Sequence, residues 1–235
     1  MLSLQAMTTQ PTPFNLHPNP IEALTELCDT HPKGVVFTTS LGLEDQVLTD
    51  IICRNKLPIR IVTLDTGRLF PETYALIDKT KSRYNVKIEC FFPDTLSLEQ
   101  LVNGQEINAI FKSVEARKNC CGVRKVQPLL RSLEGAKVWV TGLRAEQSEN
   151  RNNLPRIELD SLSGLLKFNP LLTWSDSDLE NYIEKNNVPI NTLHKKGFPS
   201  IGCEPCTRAV KNGEHPRSGR WWWEKSSQEC GLHKG

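Results

Sequence analysis

Three β-branched runs separated by helical segments constrain this chain more than any other feature. Val35-Val36-Phe37-Thr38-Thr39, bounded by Gly34 and Ser40, reads as a strand. Residues 59–64 and 86–92 read as the second and third strands. Between the first two, Val47, Leu48, Ile51 and Ile52 fall on one helical face. Between the next two, Pro71 suits the first turn of a helix that runs to about Tyr84. This alternation predicts an α/β fold, a parallel twisted sheet flanked by helices. In such sheets ligands bind at the turns beyond the strand C-termini. Two polar turns fall there, at residues 39–45 and 65–68.

The remaining pattern extends that frame. Residues 21–29 read as a short helix, 97–133 as helical, and 137–141 as a fourth strand. A polar and mobile segment follows at 146–153. Short strands are expected at 156–159 and 166–168, and a helix at 176–186 with Ser175 as its N-cap. Residues 1–20 are rich in Thr, Pro, Gln and Asn and predict a flexible tail; translation from Met7 instead of Met1 is open. No repeat or linker divides the rest, so 21–235 is expected to be one domain, with a mobile C-terminal segment from about 224. A net charge of +2 gives no bulk attraction to nucleic acid or membrane. Neither a signal peptide nor a long apolar run is present, which points to the cytoplasm.

Eight cysteines are too few for a disulfide scaffold in a chain of 235 residues. Their clustering points to metal binding or redox chemistry. Cys120-Cys121 and Cys203-Glu204-Pro205-Cys206 form two distant pairs. Adjacent side chains reach one small ion awkwardly, but they reach two corners of a larger cluster if the backbone bends, and Gly122 makes a bend tolerable. Four thiolates without a ligating His suit an iron–sulfur cluster or a structural zinc, and the adjacent pair tilts the reading toward [4Fe–4S]. Cys28, Cys53 and Cys90 read as core residues.

Cations gather beside these motifs: Arg124-Lys125, Arg144, Arg151, and Arg217-x-x-Arg220 followed by Trp221-Trp222-Trp223. They suit a substrate carrying phosphate or sulfate, whose oxygens match guanidinium. The three tryptophans are expected to pin the C-terminal segment to the body. Cys230 lies in Glu229-Cys230-Gly231-Leu232-His233. It becomes a nucleophile if His233 or the Arg217/Arg220 pair stabilises its thiolate.

Together these motifs resemble the assimilatory adenylyl-sulfate reductases of the phosphoadenylyl-sulfate reductase family, iron–sulfur branch. The matching blocks are residues 39–45, Leu64-Asp65-Thr66-Gly67-Arg68, Cys120-Cys121-Gly122-Val123-Arg124-Lys125, Thr141-Gly142-Leu143-Arg144, 201–208, 219–224 and 229–233. The resemblance implies the adenine nucleotide alpha hydrolase-like fold. It implies thioredoxin-dependent reduction of adenosine 5'-phosphosulfate to sulfite and AMP, an oxidoreductase reaction on a sulfur group with a disulfide as acceptor. Cys230 would be the catalytic thiol and would pass through an S-sulfocysteine. Cys120, Cys121, Cys203 and Cys206 would hold a [4Fe–4S] cluster. Lys125 would bridge cluster and substrate, Arg217, Arg220 and Arg151 would hold the phosphosulfate, and His233 would travel with Cys230. Thr39, Ser40 and Gly42 in one turn, with Asp65, Thr66 and Gly67 in the other, would receive the nucleotide. The reductant would be a separate thioredoxin or glutaredoxin, since the chain stops after the Cys230 motif.

The 3'-phosphorylated nucleotide, or both nucleotides, are alternative substrates. An ATP pyrophosphatase of tRNA thiolation is disfavoured because its Ser-Gly-Gly-x-Asp-Ser loop is replaced by Ser40-Leu41-Gly42-Leu43-Glu44-Asp45, with an acid near where terminal phosphates would lie. A zinc-stabilised nucleic-acid-binding module is disfavoured by the near-neutral charge and the α/β pattern.

Overall fold

The computed structural model describes residues 16–147, 151 and 153–224. The first three strands are β1 (Val35–Thr39), β2 (Arg60–Leu64) and β3 (Ile88–Phe91), joined through helices α2 (Leu43–Arg54) and α3 (Pro71–Tyr84). Helix α1 (Pro20–Thr30) precedes them, started by the Asn19 side chain accepting from the Ile21 N–H. Later strands are β4 (Val138–Val140), β5 (Ile157–Leu159) and β6 (Leu166–Phe168). The sheet order is β3-β2-β1-β4-β6-β5, parallel except for β5, which is antiparallel at the edge.

Alternation along β1 explains the two covered faces. Val35 and Phe37 pack on one side with Leu48 and Ile51 of α2 and Leu24 and Leu27 of α1. Val36 points the other way, into a cluster with Val62, Leu129, Leu133 and Trp139. Helix α7 (Asp176–Asn186) begins with a capping box, in which Ser175 and Asp178 satisfy each other's backbone N–H. Its Tyr182 hydroxyl joins Tyr84 and Arg54 around the buried Asp50 carboxylate, knitting α2, α3 and α7 together.

Two expectations need correction. Residues 97–133 are not one helix. They form α4 (Thr95–Gly104), a 3₁₀ turn at Ala109–Phe111, α5 (Val114–Cys121), a π-helical turn at Gly122–Val126, and α6 (Gln127–Ser132). Ser113 caps α5 afresh by accepting from the Ala116 N–H, which is why the helix restarts there. Cys90 is exposed and so is not a core residue, because β3 is an edge strand. Cys28 is buried as expected, and Cys53 packs against the same core.

Successive connections lead β1, β2 and β3 to one side, while β4 pairs on the other side of β1. The strand order therefore reverses between β1 and β4. The C-terminal ends at this reversal form the crevice where open α/β sheets take ligands. Among the described residues no helix is long and apolar enough to cross a membrane.

Candidate functional site

A cleft of about 770 Å³ opens at that reversal. The turn after β1 forms one wall. There the Asp45 carboxylate accepts from the Ser40 N–H at 2.5 Å and the Ser40 hydroxyl at 2.7 Å. Leu41 takes φ 61°, and its N–H donates to the Thr39 hydroxyl at 3.0 Å. Opposite lies Gly142, after β4. A Cβ on Gly142 would stand 2.1 Å from Asp45 Oδ1, so only glycine lets the two turns meet this closely.

Burial pushes the Asp45 carboxyl up from 3.8 to about 6, with Glu44 adding to the rise and the Ser40 hydrogen bonds and Arg151 opposing it. The raised value means that the folded state binds this proton more tightly than the unfolded chain. Asp45 thus stabilises the fold fully below about 3.8 and loses that contribution as pH rises through about 6. The interval corresponds to about 3 kcal/mol. We expect Asp45→Asn to remove this part of the pH dependence. The difference in urea stability between variant and parent should shift by about 3 kcal/mol between pH 4 and pH 7; a constant difference would contradict the assignment.

The turn after β2 is built by its own side chains. Asp65 Oδ1 accepts from the Gly67 N–H at 2.8 Å and the Tyr74 hydroxyl at 2.9 Å, and Gly67 takes φ 69°. Of this turn's three predicted residues, Thr66 lines the cleft and Asp65 and Gly67 do not. Thr39, Ser40, Gly42, Lys125, Arg151, Arg217 and Arg220 all line it.

The four cysteines of the two pairs come together. Cys120, Cys121, Cys203 and Cys206 share the walls of one small cavity with Arg68, Arg117, Arg124 and Lys125. Gly122 has ordinary helical angles, φ −55° and ψ −56°, and its Cβ position is open. The local change is the π-helical turn that follows, not a glycine bend. Such turns widen the helix and recur at functional sites. Pro205 opens the 3₁₀ turn that carries Cys206, and the Cys203 thiol lies 3.2 Å from the Thr66 hydroxyl. Arg124 donates to the Thr66 carbonyl at 2.6 Å, tying the π turn to the end of β2.

Burial raises the Cys206 thiol to about 11, reinforced by Cys203 and opposed by Lys125 and Arg220. Burial also raises Cys120, with Arg124 and Arg68 opposing. Protein cations alone therefore do not ionise these two thiols, so a bound cationic centre would be needed to hold them as thiolates. Four soft sulfur donors converging on one cavity fit an iron–sulfur or zinc group. Among the described residues no three Cys, His, Asp or Glu side chains close on a single-ion position. Lys125 and Cys203 line both this cavity and the cleft, so the two sites share a wall.

The cations differ in what they are free to do. Arg144 also lines the cleft, but as a paired cation. Its guanidinium is held by Glu44 at 3.0 Å, Asp176 at 2.5 Å and the Trp174 carbonyl at 3.0 Å. Glu44 is thereby neutralised, a pairing that no sequence spacing announced. Arg220 reaches the Ser200 hydroxyl at 3.3 Å and lies over the Trp221 ring, while its buried Nε has no partner. A Cβ on Gly202 would stand 2.2 Å from Arg220 Nη2. We expect Gly202→Ala to displace this guanidinium and weaken phosphate or nucleotide binding by about tenfold, near the worth of one charge-assisted contact. Calorimetric titration with AMP checks this; unchanged affinity would mean that Arg220 does not face the anion.

Trp221 and Trp223 pack the chain up to Glu224 against the body. Trp221 is buried, its N–H donates to the Cys206 carbonyl at 3.3 Å, and Trp223 meets Phe111 edge-on at 4.5 Å. Trp222 is 40% exposed. Cys230 and His233 lie outside the described residues, as do residues 1–15 of the predicted tail.

Residues 34–209 match the phosphoadenosine phosphosulfate reductase domain. The chain belongs to this family. An adenosine 5'-phosphosulfate reductase of Rhizobium meliloti (strain 1021) is 51% identical over 199 residues, covering 84% of this chain and 75% of that protein. The adenosine 5'-phosphosulfate reductase of Allochromatium vinosum is 50% identical over 215 residues, covering 91% and 84%. A phosphoadenylyl-sulfate reductase from Candida auris, solved with phosphate, superposes with a TM-score of 0.68 at 30% identity, covering 79% and 88%. A Candida glabrata FMN adenylyltransferase shares the fold at 18% identity and a TM-score of 0.54, covering 92% and 76%. The adenine nucleotide alpha hydrolase-like fold expected from the resemblance is thus the one observed. Membership of this reductase family also makes the chain an oxidoreductase acting on sulfur groups.

Proposed function

We propose that this phosphoadenosine phosphosulfate reductase family member reduces adenosine 5'-phosphosulfate to sulfite and AMP. The reading is carried by the shared wall: Lys125 and Cys203 line both the cation-bearing cleft and the four-cysteine cavity. The nucleotide enters at the turns after β1 and β2. Thr39, Ser40, Gly42, Asp65, Thr66 and Gly67 shape its seat, and Lys125, Arg151, Arg217 and Arg220 meet the phosphosulfate. The Cys230 thiolate attacks the sulfate sulfur. The S–O bond to phosphorus breaks, its electron pair leaves on AMP, and Cys230 becomes S-sulfocysteine. A thiol of reduced thioredoxin or glutaredoxin then attacks the Cys230 sulfur and expels sulfite. The reductant's second thiol resolves the mixed disulfide and returns Cys230 to the thiol. His233 accompanies Cys230 and stabilises its thiolate.

Cys120, Cys121, Cys203 and Cys206 hold a [4Fe–4S] cluster, which supplies charge and rigidity beside the cleft when bound. One domain over 21–235 works in the cytoplasm with a thioredoxin or glutaredoxin as reductant. The relatives near 50% identity are named for adenosine 5'-phosphosulfate, while the structural neighbour at 30% is named for the 3'-phosphorylated nucleotide. Steady-state turnover with thioredoxin should favour adenosine 5'-phosphosulfate by at least about 100-fold in kcat/KM, the scale of a few kcal/mol in transition-state binding. Equal or reversed preference would replace the substrate assignment with the phosphorylated nucleotide.

A further inference from the structure

Arg117 sits on α5 one helical turn before Cys120 and Cys121, and it is almost wholly buried. Its guanidinium holds Glu224 in a forked pair: Nε to Oε1 at 2.8 Å and Nη2 to Oε2 at 2.7 Å. Both side chains are at most 2% exposed. The same guanidinium lies 4.7 Å from the centre of the Trp221 ring, and Arg220 approaches that ring to the same distance. Glu224 closes the turn by donating its N–H to the Trp221 carbonyl at 2.8 Å. Trp221 in turn reaches the Cys206 carbonyl. One buried cation therefore sits on the helix bearing the first cysteine pair, lies over the ring of a residue whose backbone N–H bonds to the second pair, and holds the residue six positions before Cys230.

Burying a charge pair this fully is rarely needed for stability alone, since apolar side chains of similar volume do as well. A bidentate fork adds direction, fixing both partners in angle as well as distance. Six residues span at most about 20 Å, so the site from which the Cys230 segment departs decides where its thiol can reach.

We propose that the Arg117–Glu224 pair is a latch. It sets the exit point of the segment bearing Cys230 and ties that exit to the helix carrying Cys120 and Cys121. These are positioning residues, and the inference rests on Cys230 being the nucleophile. Glu224 lines neither of the two cavities, whereas Arg117 lines the four-cysteine cavity, so Glu224→Gln is the variant that keeps every side chain of both walls.

The test uses the full chain, purified with its iron, in two variants. Glu224→Gln breaks the charge pair. The double variant Arg117→Met with Glu224→Leu keeps the volume and removes the buried charges, so it stays folded if Glu224→Gln does not. Adenosine 5'-phosphosulfate is added without reductant, and the sulfo adduct on Cys230 is followed by mass spectrometry. We expect adduct formation to slow by at least about tenfold, as expected for a misplaced nucleophile, with AMP affinity unchanged within about twofold. Trypsin cleavage after Lys225, the residue following Glu224, should accelerate by at least about tenfold, because cleavage tracks the opened population. Folded variants that form adduct at the parental rate would overturn the latch. Absence of adduct in the parent would overturn the nucleophile reading instead. The latch would then stand or fall on the trypsin rate, failing if that rate is unchanged.

Discussion

Replacing Cys230 by serine is expected to lower sulfite release by more than about 1000-fold, the range seen when a covalent nucleophile is lost. A serine hydroxyl remains protonated at neutral pH and has no sulfur to pass to a reductant thiol. Even an attack by it would end in a sulfate ester, and no thiol can reduce the chain back from there. Nothing else in the molecule should change. Iron content and the visible spectrum are expected to depend on Cys120, Cys121, Cys203 and Cys206, and AMP affinity on the residues that line the cleft. Sulfite assay, iron analysis and AMP titration on one preparation check all three. Retained turnover would refute the role of Cys230, and lost iron would show that it has been confused with a ligand.

Cys203→Ser should behave in the opposite way, losing iron and activity together. Cys203 is buried, faces the Thr66 hydroxyl at 3.2 Å, and borders both cavities. Serine keeps the shape, yet it offers a hard, poorly ionising oxygen where a soft thiolate is needed. Iron should fall from about four per chain to below about one, and turnover should fall by more than about 100-fold, the upper range for disrupting a metal site. The effect on the fold should be smaller. The 3₁₀ turn at Glu204–Cys206 retains its backbone bond from Glu204 to the Arg68 carbonyl, and Trp221 remains buried. Stoichiometric iron in this variant would mean that the ligand set is wrongly drawn.

Much of this architecture was legible from local signals. Val35–Thr39, Pro71–Tyr84 and Asp176–Asn186 fall where β-branching, an N-terminal proline and a serine cap place them. Convergence of the cysteine pairs was legible through chemistry, because thiols in two clusters imply a shared partner. What escaped was everything set by tertiary pairing. Arg144 reads as one more cation until Glu44 and Asp176 are seen to consume it. Arg117 carries no signal in the sequence, and only the fold brings Glu224 against it. The π-helical turn has no periodicity of its own to detect, and the cap at Ser113 is hidden inside a continuous helical pattern. Cys90 alternates like a core position, but its strand has no neighbour on one side. Sequence spacing encodes what lies within a few residues. It does not encode which charge will neutralise which across the chain.

The division of labour among the five cysteines is tested most directly by mapping where sulfur is transferred. Iron-loaded protein is mixed with adenosine 5'-phosphosulfate in the absence of any thiol reductant, quenched, digested and analysed by mass spectrometry. The account predicts a sulfo group on the peptide containing Cys230, one AMP released for each adduct, and no modification of Cys120, Cys121, Cys203 or Cys206. A sulfo group on any of those four, or AMP release with Cys230 unmodified, would contradict it.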